Sequence, residues 1–381
     1  MNERRRIAIL ADFKEEGWPS MDLVAEMLAH QLRPSACQSL DSTLVEPRYR
    51  HLFSRVPVLQ NRGFAKNLNR FYNRFVTYPR FAKSLVSNFE FFHVADHSYA
   101  GLMDSLPRER SGVYCHDLDA FRCLIEPDAE PRPWWFRKMA RHILTGMQKA
   151  AVVFHSTGPV REAILRHKLI DETKLIHAPY GVSSEFTSGP AANDTNGEGY
   201  AVPLVSKERS IVHVGSCISR KRIDVLLDLF AEVRRTKPDV KLIKVGGIFT
   251  SEHLAQIGKL DLESSIIHRH GLTRSELADV YRSATVVLVP SEFEGFGLPV
   301  IEALACGAPV IASDIPVLRE VGGNVVGYAP VGAIDQWETL TNKVLENPDA
   351  IAPRDRRLAH VSQYTWARHA EIISQAYLNI A

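Results

Sequence analysis

Cysteine and long apolar runs are scarce in this sequence, and each absence excludes a class of protein. The five cysteines among 381 residues include no Cys-x-x-Cys pair, which argues against a disulfide framework and against a zinc site. No apolar run approaches the roughly 18 residues that a membrane-spanning helix needs. Only a short apolar segment, residues 7–11, follows the basic N-terminus, and it is too short for a secretory signal peptide. We therefore expect a cytoplasmic protein.

The composition that remains is typical of a folded globular protein. Hydrophobic residues make up 45% of the chain and charged residues 24%, which argues against disorder, and the length predicts two or three domains. The small net charge of +2 hides an asymmetry. Residues 1–185 contain 26 Lys and Arg against 21 Asp and Glu, whereas the remainder contains 20 against 23. The first half is therefore better suited to an anionic partner or surface.

The densest pattern in the chain runs from Pro290 to Gly323. A β-branched strand leads into a loop with two glycines, a short helix with Pro299 in its first turn follows, and another buried strand closes the unit. Glycine lets the backbone approach a ligand closely, and the free N–H groups at a helix N-terminus attract an anion. Two carboxylates nevertheless lie in this predicted anion site, Glu294 in the loop and Glu302 in the helix.

The spacing Glu-x7-Glu, within P-S-E-F-E-G-F-G-L-P-V-I-E-A-L-A-C-G-A-P-V-I-A-S, resembles the pattern of retaining, nucleotide-sugar-dependent glycosyltransferases of family 4. The resemblance implies the GT-B fold, an α/β fold in which two Rossmann-like domains face each other across a cleft and a C-terminal helix crosses back to the first domain. It also implies that Glu302 binds the ribose hydroxyls and Glu294 the sugar hydroxyls. A solvated loop residue and a favourable helix-terminal charge are the alternative interpretation of these carboxylates. The loop residues implied to contact the donor are Gly295, Phe296, Gly297 and Leu298.

Three consecutive cations, Arg220 to Arg222, are predicted to open a helix after the strand Ile211–Val214. Cations in a first turn lie at the positive end of the helix dipole and cost roughly 0.3–1 kcal/mol each unless an anion compensates them. This placement predicts an anionic ligand, and a fortuitous surface cluster is the alternative. By the resemblance, Arg220 and Lys221 contact the diphosphate. The other residues implied to lie at the donor are Ser216, where many family members have arginine, and Gly271 and Leu272, whose backbone would hold the nucleobase.

His116 ends a predicted strand of the first half, and open α/β sheets bind ligands at the carboxyl ends of strands. The resemblance implies that this histidine reaches the donor sugar from the acceptor domain, and a structural histidine is the alternative. Gly17 follows the first predicted strand, where the family's loop approaches the donor phosphates and the acceptor; an ordinary turn glycine fits equally well. The sequence from Asp117 to Asp119 matches the metal-binding DxD of the other glycosyltransferase fold. Because it follows a GT-B pattern here, we predict no metal site.

Acidic residues are missing altogether from Arg48 to Lys83. These 36 residues contain nine Lys or Arg and eight aromatics. One interpretation is a solvated basic face over an aromatic core. The other is a contact surface for anionic lipid headgroups or for a charged acceptor. Nucleic acid is disfavoured as a partner, because no DNA- or RNA-binding motif accompanies the charge.

The order of predicted strands and helices divides the chain into two α/β domains. Residues 1–186 are predicted to form the acceptor domain and residues 210–364 the nucleotide-sugar donor domain. Residues 187–209 are rich in Gly, Pro, Asn and Ser without periodicity, which predicts a linker. Residues 365–381 are predicted to form the amphipathic helix that returns to the first domain.

These features together predict a retaining, metal-independent hexosyltransferase without a cofactor. It would move a hexose from UDP-hexose or GDP-mannose to a hydroxyl of a glycan or glycolipid acceptor, in the cytoplasm or peripherally on the inner face of the membrane. Two alternatives on the same fold are a sugar-nucleotide epimerase and a phosphorylase, although no pyridoxal-binding lysine can be identified for the latter. A dinucleotide oxidoreductase is disfavoured, because no G-x-G-x-x-G follows a predicted strand.

Overall fold

The computed structural model describes residues 4–53, 62–189 and 209–380, and the structural statements that follow concern these residues. Most of the predicted linker, residues 190–208, and part of the basic stretch, residues 54–61, lie outside the described residues. The chain forms two compact units. One comprises Met1–Gly181 together with Trp366–Ala381, and the other comprises Val182–Thr365.

The first unit is built on a parallel six-stranded sheet with helices between its strands. Its strands are β1 (Arg5–Leu10), β2 (Leu40–Val45), β3 (Phe91–Val94), β4 (Ser111–Cys115), β5 (Val152–His155) and β6 (Leu175–His177). Its helices up to this point are α1 (Pro19–Gln31), α2 (Arg62–Tyr72), α3 (Tyr78–Ser84), α4 (Arg122–Ile125), α5 (Trp134–Lys149) and α6 (Gly158–Arg166), and a π-helical turn, Asn73–Thr77, joins α2 to α3. The strand order is β2-β1-β3-β4-β5-β6, so the order reverses between β1 and β3.

The second unit repeats this plan with a second parallel sheet. Its strands are β7 (Ser210–Val214), β8 (Lys241–Val245), β9 (Ile266–Arg269), β10 (Val286–Val289), β11 (Val310–Ser313) and β12 (Gly327–Ala329). Its helices are α7 (Ile223–Thr236), α8 (Ser251–Lys259), α9 (Arg274–Ser283), α10 (Leu298–Ala305), α11 (Pro316–Gly322), α12 (Ile334–Glu346) and α13 (Arg354–Val361). The strand order is β12-β11-β10-β7-β8-β9, and the reversal falls between β7 and β10.

Burial on both faces explains why several of these strands are continuous apolar runs rather than alternating ones. All four residues of β10, Val-Val-Leu-Val, are buried, as are all four of β11. Helices cover the two faces of a parallel sheet, and such strands therefore have no solvated side. The predicted α/β class with two parallel sheets is confirmed. Of the helices in the described part of the chain, none combines the length and apolarity needed to span a bilayer.

The last helix, α14 (Trp366–Asn379), packs in the first unit, as the fold prediction requires. The Tyr377 hydroxyl is 3.0 Å from the carbonyl oxygen of Phe92, to which it donates, and 3.0 Å from Nδ1 of His93. Gly112 of β4 leaves room for this ring, because a Cβ at that position would lie 2.5 Å from the Tyr377 hydroxyl. Hydrogen bonds between a buried hydroxyl and β3 thus fix the returning helix.

Tyr377→Phe should lower the free energy of unfolding by about 1–3 kcal/mol, because it leaves a buried carbonyl and a buried imidazole without their partner. Urea denaturation of both proteins measures this difference. Gln375→Ala changes an exposed residue of the same helix and should stay within about 0.5 kcal/mol of wild type. Equal midpoints for Tyr377→Phe and wild type would show that these hydrogen bonds do not secure α14.

Candidate functional site

The candidate site lies at the carboxyl ends of β7 and β10, where the second sheet reverses its strand order. β7 leads into Gly215 and a short 3-10 turn, Ser219–Lys221, and β10 leads into the loop of residues 290–297. Open α/β sheets bind ligands at such a reversal, because the connections on its two sides diverge and leave a crevice. The fold therefore brings the cationic segment and the glutamate loop to the same sheet edge, although Lys221 and Glu294 lie 73 positions apart in sequence.

Glu294 is the centre of an ionic network at this edge. Nζ of Lys221 donates to Oε1 of Glu294 at 2.6 Å, and Nη1 of Arg220 lies 3.4 Å from Oε2 and 2.8 Å from the carbonyl oxygen of Phe293. The carboxylate is only 7% exposed. Burial by itself would raise the pKa of Glu294, but the charges of Lys221 and Arg220 hold that pKa below its usual value. The group is therefore ionised at neutral pH and paired with both cations.

The three cations do not open a helix, which corrects the prediction from the sequence. Helix α7 begins at Ile223, and Arg220 and Lys221 belong to the 3-10 turn before it. Arg222 between them and the helix has a left-handed backbone, φ 49°. The turn aims Arg220 and Lys221 at Glu294, while Arg222 pairs with Asp224. The dipole penalty expected from the sequence does not apply to residues outside the helix, and the paired glutamate supplies the compensating charge.

The loop after β10 ends on the N-terminus of α10. Gly297 precedes this helix with φ 95°, a conformation that favours glycine, and a Cβ there would lie 2.7 Å from the side chain of Leu318. The first N–H groups of an α-helix have no partner inside it, and the helix dipole adds a partial positive charge. The network around Glu294 and the start of α10 together form an edge suited to an anion beside a carboxylate.

Glu302 lies further along α10 and is also buried. Its Oε2 accepts a hydrogen bond of 3.0 Å from the hydroxyl of Tyr281 in α9. Burial raises the pKa of Glu302 to about 7, although the Tyr281 hydroxyl acts in the opposite direction. Glu294 and Glu302 therefore differ in electrostatic state: one is held ionised by two cations, and the other titrates near neutral pH.

Ser216 and Gly271 follow β7 and β9 at the same edge. Gly271 has φ 70°, and no atom lies within 4 Å of the place its Cβ would take, so the turn and not crowding favours glycine there. Ser216 lies against the loop after β8, since a Cβ on Gly247 would be 2.7 Å from the Cα of Ser216. The predicted contacts of these residues and of Leu272 with a nucleotide stay predictions.

Two buried residues of this edge were not predicted from the sequence. Tyr281 lies in α9, which begins with a capping box of Thr273 and Glu276, but nothing in the sequence pattern indicated that its hydroxyl faces Glu302. Lys244 is fully buried in β8. The position of this lysine inside the apolar run Lys-Leu-Ile-Lys-Val could have indicated a buried cation with polar partners, because lysine is almost never fully buried without one.

In the first unit, His116 follows β4 as predicted, but both of its ring nitrogens are occupied. Nε2 donates to the carbonyl oxygen of Ala95 at 2.8 Å, and Nδ1 accepts a hydrogen bond from the Tyr180 hydroxyl. Burial lowers the pKa of His116 to about 4, although the nearby Asp96 carboxylate opposes this shift. The imidazole is therefore neutral, and these contacts are those expected of a structural histidine.

Gly17 ends a 3-10 turn after β1, with φ 73° and no atom within 4 Å of the place that a Cβ would take. The same edge of the first sheet holds buried polar groups that the sequence patterns did not single out. Neither carboxyl oxygen of Asp12 accepts a hydrogen bond from the described residues, and burial followed by the charge of Asp96 raises the pKa of Asp12 well above its usual value. The Arg74 guanidinium stacks over the Tyr99 ring at 4.3 Å. Asp12 follows β1, and Asp96 and Tyr99 follow β3, where the first sheet reverses its order.

Within the residues described, no group of three or more His, Cys, Asp or Glu side chains is arranged to hold a metal ion. The charged groups of the site are instead two cations, one paired carboxylate and one carboxyl that titrates near pH 7. Such an edge can bind an anion through the cations and hydroxyl groups through the carboxylates.

Glu302→Gln should stabilise the protein relative to wild type as pH rises from about 5 to 8. As pH rises from the ordinary carboxyl pKa of 4.5 to the raised pKa of about 7, Glu302 ionises in the unfolded chain but stays protonated in the folded one, so wild type loses stability over this range. An amide does not titrate and has no such loss. The difference should approach about 3 kcal/mol at most, and thermal or urea unfolding across this pH range measures it. Glu292→Gln, an exposed neighbour of the loop, serves as control. A pH-independent difference would show that Glu302 is ionised throughout.

Comparison with known proteins identifies the domain that carries this site. Residues 201–360 match the family model described as glycosyl transferases group 1. A D-inositol 3-phosphate glycosyltransferase of Segniliparus rotundus is 32% identical over 186 residues, which are 46% of this chain and 40% of the relative. O-antigen chain mannosyltransferase B of Escherichia coli is 23% identical over 336 residues, 82% of this chain and 84% of the relative. The chain spans about half the length, or less, of the Segniliparus rotundus enzyme and of three further D-inositol 3-phosphate glycosyltransferases that it matches.

Solved structures agree on the fold over nearly the whole chain. Sucrose-phosphate synthase from Thermosynechococcus elongatus superimposes with a TM-score of 0.74 at 19% identity, covering 99% of both chains. HepE of Anabaena, in complex with UDP and glucose, gives a TM-score of 0.73 at 15% identity and covers 99% of this chain and 100% of the other. The resemblance predicted from the Glu294 to Glu302 segment is confirmed for the part of the chain that carries it: residues 201–360 match the group 1 glycosyl transferases, and the chain has the GT-B fold.

Proposed function

We propose that the protein is a retaining hexosyltransferase that uses a nucleoside-diphosphate sugar and acts in glycan biosynthesis. The observation that carries this proposal is the pairing of Glu294 with Lys221 and Arg220 at the strand reversal of the second sheet, beside the N-terminus of α10. The named relatives transfer glycosyl groups, which favours transfer over the epimerase alternative.

The leaving diphosphate determines what the site must supply. Breaking the bond between the anomeric carbon and the diphosphate oxygen builds negative charge on the diphosphate and positive charge on the sugar. Lys221, Arg220 and the α10 N-terminus would stabilise that negative charge, and the proposal needs no metal ion for this. The acceptor oxygen bonds to the anomeric carbon from the side the diphosphate leaves, and the acceptor proton passes to a diphosphate oxygen. This front-face route keeps the anomeric configuration.

Glu294 can take part in this scheme because a diphosphate can replace it as the partner of Lys221 and Arg220. A diphosphate that approaches Lys221 and Arg220 competes with Glu294 for both cations. The carboxylate is then free to accept hydrogen bonds from the sugar hydroxyls. Glu302, with Tyr281 on one oxygen, would accept a ribose hydroxyl on the other, and the backbone at Gly271 would hold the nucleobase.

The donor is proposed to be UDP-hexose or GDP-mannose. UDP is bound in the HepE structure, and the E. coli relative is a mannosyltransferase, so the relatives support both donors. His116 would reach the sugar only by exchanging its hydrogen bond to Ala95 or Tyr180. In this proposal His116 acts as an uncharged imidazole, and its role is secondary to that of Glu294.

Glu294→Gln should bind the bare nucleoside diphosphate at least as tightly as wild type and lose turnover by about 100-fold or more. The amide no longer competes for Lys221 and Arg220, but it is a poorer acceptor for the sugar hydroxyls. A thermal-shift screen of UDP, GDP and ADP first identifies the nucleotide, since a ligand at 100 times its Kd stabilises by about 2.7 kcal/mol. Calorimetry with that nucleotide and turnover of its hexose conjugates then compare the proteins.

Glu292→Gln is the matched control, because Glu292 is an exposed carboxylate in the same loop and should change neither binding nor turnover. A clear loss of bare-nucleotide affinity in Glu294→Gln would contradict the division of roles between Glu294 and the two cations. Absence of any stabilisation of wild type by UDP, GDP and ADP would overturn the proposed function itself.

We also propose that the exposed face of α2 and α3 contacts an anionic membrane surface. Two cations of the stretch from Arg48 to Lys83 are already engaged within the protein. Arg70 is paired with Glu16 at 2.9 Å, and Arg74 is stacked over Tyr99. Among the described side chains, the exposed ones of α2 and α3 include three cations and two phenylalanines that are 61% and 40% exposed: Lys66, Arg80, Lys83, Phe71 and Phe81. Each cation near an anionic leaflet contributes about 1 kcal/mol, and aromatic rings can insert at headgroup level.

Changing Lys66, Arg80 and Lys83 together to Gln should abolish co-sedimentation with vesicles that contain anionic lipid. Binding by wild type should weaken as salt rises, because the attraction fades within about 8–10 Å at ordinary ionic strength. The triple variant should keep its nucleotide affinity, since these residues belong to the first unit. If wild-type protein does not co-sediment with anionic vesicles even at low salt, this face is a solvated basic face and the membrane proposal is wrong.

A further inference from the structure

Lys244 of β8 is a buried cation that the proposed reaction does not use. Its side chain is fully buried, and its ammonium donates to three backbone carbonyl oxygens: Gly215 at 2.7 Å, Val245 at 3.0 Å and Gly246 at 2.9 Å. These bonds occupy all three protons of the group. Among the described residues, no carboxylate is paired with it. Burying a charge in this way is costly, and a sequence that retains it has a use for the cation.

Val245 is the last residue of β8, and Gly215 and Gly246 belong to two loops that are packed directly on each other. A Cβ on Gly246 would lie 3.0 Å from the carbonyl oxygen of Gly215, and a Cβ on Gly247 would lie 2.5 Å from the backbone nitrogen of Cys217. The loop after β8 therefore supports the loop after β7 by backbone contact. His268 of β9 holds the same loop from the other side, with Nε2 2.8 Å from the carbonyl oxygen of Gly247.

The supported loop is the one that leads to the diphosphate-binding cations. The stem of Lys221 passes over Gly215, since a Cβ there would lie 3.7 Å from its Cε. His213 lies opposite Lys244 in the parallel register and is also buried. Burial, followed by the charges of Lys244 and Lys221, lowers the pKa of His213 well below its usual value. The imidazoles of His213 and His268 lie in register with Lys244 on its two sides. The other groups facing it in the described part of the chain are the Cys217 thiol and the Lys221 cation, and none of these groups is a counterion.

We propose that Lys244 is a positioning residue for the donor diphosphate, which it serves by clamping the loops after β7 and β8 together and by placing a buried positive charge beneath Lys221. This inference deepens the proposed function and rests on it, because the ligand is the diphosphate of the nucleotide. An anion bound at Lys221 and Arg220 supplies the negative charge that the residues around Lys244 do not provide. The field of a buried charge is only weakly screened by solvent, so it acts on the diphosphate without touching it.

The clamp makes diphosphate affinity depend on pH. Burial and then the charge of Lys221 lower the pKa of Lys244 to about 8, with Cys217 acting in the opposite direction. A bound diphosphate favours the protonated ammonium and raises this pKa, so the anion binds best while Lys244 is charged. Affinity should therefore be highest below about pH 8 and fall as the pH rises through that value.

The test is calorimetric titration of UDP and GDP into wild type and Lys244→Met, from pH 7 to pH 9.5 at constant low ionic strength. Wild-type affinity should fall by about 10-fold over this range, which corresponds to a shift of one pKa unit on binding. Lys244→Met should bind more weakly at pH 7 and lose this decline. The nucleobase titrates in the same way with both proteins, and the difference between the curves therefore reports on Lys244.

His268→Phe and Cys217→Ala distinguish the effect of the Lys244 charge on binding from the effect of supporting the loop. His268→Phe removes a hydrogen bond to the same loop without touching the Lys244 ammonium, and it should weaken binding while keeping a decline with pH. Cys217→Ala should keep a decline as well but move it to lower pH, since Cys217 opposes the lowering of the pKa of Lys244. Parallel pH curves for wild type and Lys244→Met would overturn the inference and leave Lys244 a purely structural residue.

If Lys244→Met does not fold, the pH dependence of wild-type affinity for UDP and for uridine still tests the role of Lys244. A decline with pH that is confined to the diphosphate-bearing ligand supports the clamp, and equal curves overturn it. Wild type that binds no nucleoside diphosphate at any pH would overturn the proposed function together with this inference. Binding without the pH difference would overturn the role of Lys244 alone.

Discussion

A buried carboxylate that joins two distant loops is the interaction on which the second unit depends. Glu294 lies after β10, and Lys221 and Arg220 lie after β7, so their contacts connect the two strands at which the sheet reverses its order. Breaking a buried ion pair by removing one partner typically costs about 3–5 kcal/mol, because the remaining charge stays desolvated. The same feature suits a binding site, since an incoming anion can take over the two cations while the sugar hydroxyls donate hydrogen bonds to the released carboxylate.

Burial and the neighbouring charges together set the protonation state of the main titratable groups around that network. They lower the pKa of one carboxyl group and raise that of the other. Glu294 stays ionised because two cations outweigh its desolvation, whereas Glu302 has only a tyrosine hydroxyl and its pKa rises to about 7. His213 is kept neutral beside Lys244 and Lys221. The second unit therefore presents an excess of positive charge at this sheet edge, and neighbouring residues of one chemical class have different electrostatic roles.

The first unit uses the equivalent sheet edge differently. Its strand reversal, between β1 and β3, is lined by buried groups whose hydrogen-bonding capacity is incompletely used, among them Asp12 and the Tyr99 hydroxyl. His116 is the opposite case, with both nitrogens engaged and its pKa lowered by burial. The histidine that the sequence pattern singles out is thus the more firmly fixed of these groups.

Local patterns in the sequence determined the fold class and the main features of the donor edge. Continuous apolar runs predict parallel strands that are covered on both faces, and a glycine loop before a helix predicts an anion-binding turn, because both depend on residues close together in the chain. Glu294, Glu302, Arg220 and Lys221 could be named for the same reason, and their proposed roles toward a nucleotide sugar stay predictions.

The tertiary structure alone decided which of these residues meet and in what state. The contact of Lys221 with Glu294 joins residues 73 positions apart, and no local pattern encodes it. The same holds for Tyr281 on Glu302, for Lys244 beneath Gly215, and for Arg70, which a cation-rich stretch placed on the surface but which pairs with Glu16. Charge, burial and pairing are properties of the assembled neighbourhood: a sequence specifies which charges exist, and only packing decides which of them lose their water and which partners replace it.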